Sequence, residues 1–262
     1  RAYLEHLSST MANGLSGVRM VVDGANGSAS YLGPKLFRSL GAEVTSIHCS
    51  PDGRNINDRC GATHTSSLQQ AVVAHGADLG LAFDGDGDRV LAVDHTGAVI
   101  DGDRLIAMAA IHLREQGALH HDTVVVTVMS NLGFHRLMED HGIRVLTTDV
   151  GDRYVLEHMR ERGYNVGGEA SGHIILSDYA TTGDGLVAAL QVLAVVKKLD
   201  QPVSKVCHRF EPLPQIMKNV RYKTGKPLEN VKVQSAITAA EKKLNGQGRL
   251  VIRPSGTEPV IR

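Results

Sequence analysis

The sequence predicts an α/β protein made of consecutive domains with mixed sheets, followed by a smaller α+β segment. Short apolar strands alternate with amphipathic helices, and this alternation restarts near residue 120. Such alternation requires crossover connections, which are typical of parallel or mixed sheets. From about residue 212 the pattern changes to strand, helix, strand. We therefore expect domains at 1–119, 120–211 and 212–262.

Apolar and β-branched runs predict the strands, while polar caps and glycine stops delimit the helices. The predicted strands cover residues 18–23, 43–48, 77–83, 89–94, 98–100, 123–128, 143–147, a segment near 165, 174–176, 215–223 and 248–252. The predicted helices cover residues 30–40, 65–74, 103–116, 132–141, 152–162, 184–198 and 231–244.

Composition excludes several classes of protein. The 262 residues include 28 Lys+Arg and 28 Asp+Glu, so the formal net charge is zero and nucleic-acid binding driven by phosphate electrostatics is not expected. The longest apolar stretch, 186–196, is too short to span a bilayer, so we expect no membrane partner. Three cysteines without a CxxC pair argue against a disulfide scaffold or zinc knuckle and favour the cytoplasm.

Three carboxylates separated by glycines follow the predicted strand 77–83: Asp84, Asp86 and Asp88. Glycine lets the backbone turn tightly, so carboxylates at alternate positions can converge. Three oxygen ligands suit Mg²⁺, which keeps further positions for water or a phosphate oxygen. A polar turn is the alternative, but three adjacent like charges would repel without a cation. A second Asp-Gly-Asp-Arg at 101–104 is interpreted as a helix start, where acidic residues suit the helix dipole.

A second loop, 168–173, presents Glu169, Ser171 and His173 at alternate positions between glycines. A carboxylate beside a hydroxyl offers the acceptor and the adaptable donor that sugar hydroxyl groups need. The imidazole of His173 can exchange a proton near neutral pH, although a structural hydrogen bond is the alternative role.

A third loop, 253–257, combines the Arg253 guanidinium, the hydroxyls of Ser255 and Thr257 and the backbone N–H groups around Gly256. This set predicts a phosphate cradle, with a surface turn between strands as the alternative. The spacing strengthens all three interpretations, because Glu169 lies 85 residues after Asp84 and Arg253 lies 84 residues after Glu169. One loop per predicted domain, facing a shared cleft, points to a phosphorylated sugar.

In this order, the three loops resemble those of the α-D-phosphohexomutase superfamily. Segments 151–157 (GDRYVLE), 172–176 (GHIIL) and 181–186 (TTGDGL) resemble its bacterial phosphoglucosamine mutase branch in particular. The resemblance covers essentially the whole chain and implies α/β domains of phosphohexomutase type. It also implies interconversion of glucosamine 6-phosphate and glucosamine 1-phosphate, on the route to UDP-N-acetylglucosamine and peptidoglycan.

The resemblance also implies roles for individual residues. Arg89 would lie beside the transferring phosphoryl group, Glu169 and Ser171 would bind sugar hydroxyls, and His173 would transfer a proton. The Mg²⁺ ligands would be Asp84, Asp86 and Asp88. The non-reacting phosphate would be bound by Arg253, Ser255, Gly256 and Thr257. The expected partners are a phosphorylated hexosamine, its bisphosphorylated intermediate and a second copy of the protein in a homodimer.

The chain departs from the family pattern in one respect. Family members begin with a domain whose Ser-His-Asn type loop holds the phosphoserine nucleophile, and no such loop occurs in this sequence. A strand is expected to begin at Val260, close to the last residue. We therefore expect the second and third domains plus part of the fourth, and no turnover by this fragment alone.

Other functions stay open at this stage. A phosphomannomutase or phosphoglucomutase of the same superfamily is the near alternative, because nothing in the residues selects the 2-amino group. A Mg²⁺-dependent phosphatase of the haloacid dehalogenase kind also carries a DxD sequence after a strand. A non-catalytic sugar-phosphate binding fragment is the third alternative.

Overall fold

Helices and strands alternate through most of the chain as the sequence predicts. The computed structural model describes residues 2–11, 13–255 and 258–262. The strands are β1 (Arg19–Asp23), β2 (Glu43–Ile47), β3 (Leu79–Phe83), β4 (Val90–Asp94), β5 (Val99–Ile100), β6 (Thr123–Thr127), β7 (Arg144–Thr148), β8 (Val166–Gly168), β9 (Ile174–Leu176), β10 (Val220–Arg221) and β11 (Val260–Ile261). The helices are α1 (Ala2–Ser9), α2 (Ala29–Ser39), α3 (Ser66–Ala74), α4 (Gly102–Glu115), α5 (Leu132–Asp140), α6 (Asp152–Arg162), α7 (Gly185–Leu199), α8 (Val203–Cys207) and α9 (Val231–Leu244). Within the described ranges, every helix is too short or too polar to cross a membrane.

Residues Arg1–Glu211 form one compact unit, and Pro212–Arg262 form another. The first sheet of the larger unit has the strand order β2-β1-β3-β4-β5. β1 runs parallel to β2 and β3, whereas β4 and β5 are added antiparallel. Helix α2 packs on one face and α3 on the other, so the central strands β1 and β3 are almost fully buried. The carboxyl ends of β1, β2 and β3 meet at one edge of the sheet, and residues 84–89, the acidic loop, begin there.

The second sheet repeats this arrangement. Its order is β7-β6-β8-β9, with β6 parallel to β7 and β8 and with β9 antiparallel to β8. The connection between β8 and β9 is therefore the counterpart of the connection between β3 and β4. The β3–β4 connection contains the acidic loop, and the β8–β9 connection contains residues 169–173, the sugar loop.

Two helices join the sheets into one hydrophobic core. Helix α4 contacts β4 of the first sheet and β8 of the second, and α7 contacts β4 and β9. One cluster of buried side chains runs through both sheets and these helices. The side chain of Asp101 accepts a hydrogen bond from the N–H of Arg104, which caps α4. This cap confirms that the second Asp-Gly-Asp-Arg motif is a helix start.

The sequence pattern did not predict α1. Leu7 is its fully buried residue, and two bonds to distant segments hold it in place. The Tyr3 hydroxyl donates to Asp184 at 2.8 Å, and His6 Nε2 lies 2.9 Å from the carbonyl oxygen of Tyr179. A helix of this length depends on tertiary contacts, which periodicity does not report.

In the smaller unit, two strand predictions are wrong over most of their length. β10 covers only Val220–Arg221 of the predicted 215–223, and the described part of 248–252 contains no strand. β10 pairs with β11 at two positions, and the side chain of Ile216 is 84% exposed. A strand forms where the N–H and C=O groups of two segments pair in register, and the described residues of this unit form such a strand pair only between β10 and β11. Helix α9 agrees with the prediction and is capped by Asn230.

We predict that Gly102→Ala destabilises the protein. A Cβ atom at Gly102 would lie 2.2 Å from the carbonyl oxygen of Glu169, so α4 or the sugar loop would have to move. Such overpacking costs about 1–3 kcal/mol of unfolding free energy, measurable by urea denaturation. Gly33→Ala in α2 is the matched control, because its Cβ meets only ordinary contacts at 3.6 Å and alanine favours a helix. Equal stability of the two variants would contradict the prediction.

Candidate active site

The acidic loop, residues 84–89, gathers its three carboxylates. Asp84, Asp86 and Asp88 each offer one oxygen, and these oxygens lie within 4.8 Å of one another. Gly87 has a φ of +79°, which lets the chain turn so that alternate side chains converge. The side chain of Asp84 is buried and accepts the backbone N–H of Arg89 at 3.1 Å. Asp86 is exposed at the rim of the loop.

Negative charge in this loop is only partly compensated by the protein. Burial, together with the charges of Asp88 and Asp86, raises the pKa of Asp84 to about 6, although the N–H of Arg89 opposes this rise. The Nε atom of Arg89 lies 3.6 Å from Asp84 and 3.8 Å from Asp88, beyond hydrogen-bond distance. The loop is therefore suited to a hard cation with carboxylate ligands.

Backbone contacts on two sides hold the acidic loop. Ser28, beside the start of α2, donates its N–H to the carbonyl oxygen of Gly85 at 2.9 Å. Gly185, at the start of α7, donates to the carbonyl oxygen of Gly87 at 3.0 Å. A Cβ atom at Gly27 would lie 2.2 Å from the carbonyl oxygen of Gly85, so glycine permits this close approach. The loop is therefore preorganised largely by main-chain contacts.

The sugar loop, residues 169–173, is a tight turn between β8 and β9. The backbone N–H of Glu169 donates to the carbonyl oxygen of His173 at 2.9 Å, which closes the turn. One carboxylate oxygen of Glu169 accepts the backbone N–H of Gly151 at 3.1 Å. The other lies 3.5 Å from the exposed hydroxyl of Ser171. The carboxylate and the hydroxyl are therefore adjacent, as the alternate spacing predicted.

The two hairpins are bonded to each other. The N–H of Val90 donates to the carbonyl oxygen of Gly172 at 3.0 Å, and Arg89 forms an antiparallel bridge with His173. Nδ1 of His173 lies 3.1 Å from a carboxylate oxygen of Asp88. The structure thus brings the acidic loop and the sugar loop, which are 85 residues apart in the sequence, into direct contact.

His173 is enclosed, and it has neighbours that the sequence analysis did not single out for a role. Its residue surface is 3% exposed, and Gly183 packs so closely on the ring that a Cβ there would lie 2.3 Å from Nε2. Nε2 makes no hydrogen bond to a described residue and lies 3.9 Å from Asp152. The sequence signal that could have found them was their position, since Asp152 is the first residue of α6 and Asp184 directly precedes α7.

The predicted phosphate loop belongs to the smaller unit. Arg253 and Arg262 exchange backbone hydrogen bonds of 2.9 Å in both directions, and the N–H of Ser255 donates to Val260 at 2.8 Å. These bonds pair residues 253–255 with residues 260–262. Gly256 and Thr257 lie outside the described residues. A common cleft between this loop and the acidic loop stays a prediction.

Three models of one protein family match successive parts of the chain. The phosphoglucomutase/phosphomannomutase models for α/β/α domain II, α/β/α domain III and the C-terminal domain match residues 1–97, 101–213 and 217–262. The chain belongs to the phosphoglucomutase/phosphomannomutase family. Membership in this family excludes the alternative of a phosphatase of the haloacid dehalogenase kind.

Curated relatives within this family are named phosphoglucosamine mutase. The chain is 60% identical to the protein from Rhodopseudomonas palustris strain HaA2 and 57% identical to that from Azorhizobium caulinodans, over 99% of its own length. It spans 58% and 59% of the lengths of these two relatives.

Solved structures share the fold at lower identity. A phosphoglucomutase/phosphomannomutase family protein from Burkholderia thailandensis has a TM-score of 0.81 at 24% identity, covering 99% of this chain and 58% of that one. The Aspergillus fumigatus N-acetylphosphoglucosamine mutase in complex with GlcNAc-6P and magnesium has a TM-score of 0.74 at 21% identity, covering 98% of this chain and 59% of that one. These likenesses confirm the mixed α/β fold class.

We predict that Asp84→Asn stabilises the metal-free protein at pH 7. The pKa of Asp84 is raised in the folded state, so ionising it costs stability as pH rises from about 4 through about 6. Asparagine removes that cost and keeps an oxygen for the N–H of Arg89. The expected gain is about 1–3 kcal/mol at pH 7 and much less at pH 4, measured by urea unfolding in chelator. A gain that is absent, or equal at both pH values, would argue against the buried charge.

Proposed function

We propose that this chain forms the metal- and sugar-binding part of a phosphoglucosamine mutase, which interconverts glucosamine 6-phosphate and glucosamine 1-phosphate. The observation that carries the proposal is the bonded pair of hairpins, which sets three carboxylates beside a carboxylate–hydroxyl pair. The name of the relatives at 56–60% identity supports the amino sugar as substrate.

Mg²⁺ is the cofactor that we propose for the acidic loop. Asp84, Asp86 and Asp88 would hold it, and the fit rests on their converging oxygens and on charge that Arg89 leaves uncompensated. When bound, Mg²⁺ neutralises charge on the phosphoryl oxygens during transfer. The exposed side of Asp86 gives the ion a route of entry.

The side chains around the loop would position the sugar phosphate. Arg89, whose side chain is 40% exposed, would contact the transferring phosphoryl group with its guanidinium. Glu169 would accept hydrogen bonds from sugar hydroxyls, with its carboxylate held in place by the N–H of Gly151. Ser171 would donate or accept as the sugar requires. Phosphoryl transfer depends mainly on such positioning and on charge stabilisation.

The loop of the smaller unit would bind the phosphate that does not react. Arg253 and Ser255 offer a guanidinium and a hydroxyl, and we extend the proposal to Gly256 and Thr257 because they continue the same loop. Binding of the phosphate that does not react lets one site accept the sugar in two orientations. Moving a phosphate between positions 1 and 6 of the sugar needs both orientations.

His173 has two proposed roles that differ in what it touches. Its bond to Asp88 and its burial support a positioning role, in which the imidazole orients one metal-binding carboxylate. Proton transfer to the substrate, expected from the resemblance, stays a prediction.

The complete reaction needs a phosphoserine, which family members carry in a leading domain. The phosphoryl group would pass from that serine to the free sugar hydroxyl, and the bisphosphorylated sugar would turn and return its other phosphoryl group to the serine. No Ser-His-Asn loop occurs in these residues, so we propose that this chain binds the substrates without turning them over alone. We also propose that the protein is cytoplasmic, that it forms a homodimer, and that it acts on the route to peptidoglycan precursors.

Replacing Asp86 tests the metal. We predict that Asp86→Ala lowers Mg²⁺ affinity about tenfold or more in calorimetry, because one of three charged ligands is lost. The unfolding temperature without metal should not fall, because Asp86 is exposed and its charge repels the other two.

Asp101→Ser is the matched control for this experiment. Asp101 belongs to the second Asp-Gly-Asp-Arg motif, and serine preserves the cap of α4 while removing a carboxylate. Its Mg²⁺ affinity should equal that of the wild type. An unchanged affinity in Asp86→Ala would sink the metal assignment.

Calorimetry in Mg²⁺ with glucosamine 6-phosphate, mannose 6-phosphate, glucose 6-phosphate and inorganic phosphate tests the substrate. Glucosamine 6-phosphate should bind most tightly, and Glu169→Gln should weaken it about tenfold or more through loss of charge-assisted hydrogen bonds. Binding of inorganic phosphate should not change in that variant.

Glu161→Gln is the control for Glu169→Gln, because Glu161 is exposed on α6 outside the site. Equal affinity for glucosamine 6-phosphate and inorganic phosphate would refute sugar recognition. Tighter binding of mannose 6-phosphate or glucose 6-phosphate would instead support the phosphomannomutase or phosphoglucomutase alternative.

A further inference from the structure

A second cluster of ligand-type side chains lies one strand away from the acidic loop. Asp23 ends β1, His48 directly follows β2, and Cys60 lies near the end of the long loop after β2. Each residue offers one ligand atom, and these atoms lie within 4.8 Å of one another. None of the proposed steps of the mutase reaction uses this cluster.

The carboxylate and the imidazole are held as a pair. Asp23 is fully buried, and one of its oxygens lies 2.9 Å from Nδ1 of His48 and 3.0 Å from the N–H of Gly61. The other oxygen accepts the N–H of Ala25 at 2.9 Å. His48 has a φ of +47°, a left-handed conformation that costs energy for a side chain with a Cβ. The fold therefore holds the imidazole of His48 in place although the backbone conformation of this residue is energetically unfavourable.

The third group is a buried free thiol. Cys60 is fully buried and forms no disulfide, and Nδ2 of Asn26 lies 3.9 Å from its sulfur. Burial, with the charges of Asp23 and Asp58, raises the pKa of Cys60, so the thiol is protonated in the metal-free protein. A bound cation would displace that proton.

We propose that Asp23, His48 and Cys60 bind one borderline-soft divalent cation of the zinc type. Oxygen, nitrogen and sulfur ligands together suit Zn²⁺ or Co²⁺, whereas Mg²⁺ prefers oxygen ligands alone. The side chain of His48 is 30% exposed, so water can reach the fourth position. The site is independent of the acidic loop in its ligands and in its ion.

The bound cation would stabilise residues 51–60, the loop that lies next to the acidic loop. Residues 51–60 contain Ile56 and Asn57, whose side chains pack so closely on Gly85 that a Cβ there would lie 2.7 Å from each. The N–H of Asn57 also donates to Ala25 at 2.9 Å. Linking Cys60 to the ends of β1 and β2 would therefore stabilise this loop, a structural role rather than a catalytic one.

Cobalt absorbance in excess Mg²⁺ tests the site, because a Co²⁺–thiolate bond gives a charge-transfer band that oxygen ligands do not give. We expect one equivalent of Co²⁺ to produce this band, Cys60→Ser to abolish it, and His48→Ala to weaken binding about tenfold or more. Cys49→Ser and Asp86→Ala should retain it, which excludes the neighbouring thiol and the acidic loop.

Zn²⁺ should also raise the unfolding temperature of the wild type, and Cys60→Ser should remove that rise. If the Cys60→Ser variant does not fold, the His48→Ala variant tests the proposal in its place, because the side chain of His48 is partly exposed. A folded wild type without the band, or a band that persists at full strength in His48→Ala, would overturn the proposal. Sugar-phosphate and Mg²⁺ binding are measured separately, so this result leaves the proposed function untouched.

Discussion

The site depends on one backbone hydrogen bond, from the N–H of Val90 to the carbonyl oxygen of Gly172, with the bridge between Arg89 and His173 beside it. These bonds join two hairpins that occupy equivalent places in the two sheets, because β2-β1-β3-β4 of the first sheet and β7-β6-β8-β9 of the second are arranged alike. Because both hairpins end buried strands and share α4 and α7 as support, their relative position follows from the hydrophobic core. The three carboxylates of the acidic loop and the Glu169–Ser171 pair are thereby held close to each other by backbone contacts.

Glycine makes this close pairing possible. A Cβ at Gly172 would lie 2.5 Å from the carbonyl oxygen of Val90, and one at Gly102 would lie 2.2 Å from that of Glu169. The glycine clusters that stand out in the sequence therefore serve two purposes. Some turn the acidic loop, and others let one backbone approach another across the two sheets.

Much of this could be predicted from the sequence, because local patterns carry it. Alternating strands and helices specified both sheets, and carboxylates at alternate positions specified the acidic cluster. The even spacing of the loops also has a structural reason, since Asp84 and Glu169 follow equivalent strands, β3 and β8. The failures have physical causes as well. Helix α1 depends on distant bonds such as that of Tyr3 to Asp184, and the strands of the smaller unit depend on the extent of their pairing.

Long-range partners set the remaining chemistry, and no periodicity reports them. The bond from Gly151 to Glu169 and the contact of His173 with Asp88 each cross between segments that only the fold brings together. The same holds for the group of Asp23, His48 and Cys60, whose members come from three separate segments at one sheet edge. Parallel strands concentrate chain ends at that edge, so unrelated side chains meet there by topology. A hard carboxylate cluster and a mixed oxygen, nitrogen and sulfur cluster can therefore stand on neighbouring strands, each with a separate ion, because their donor atoms differ.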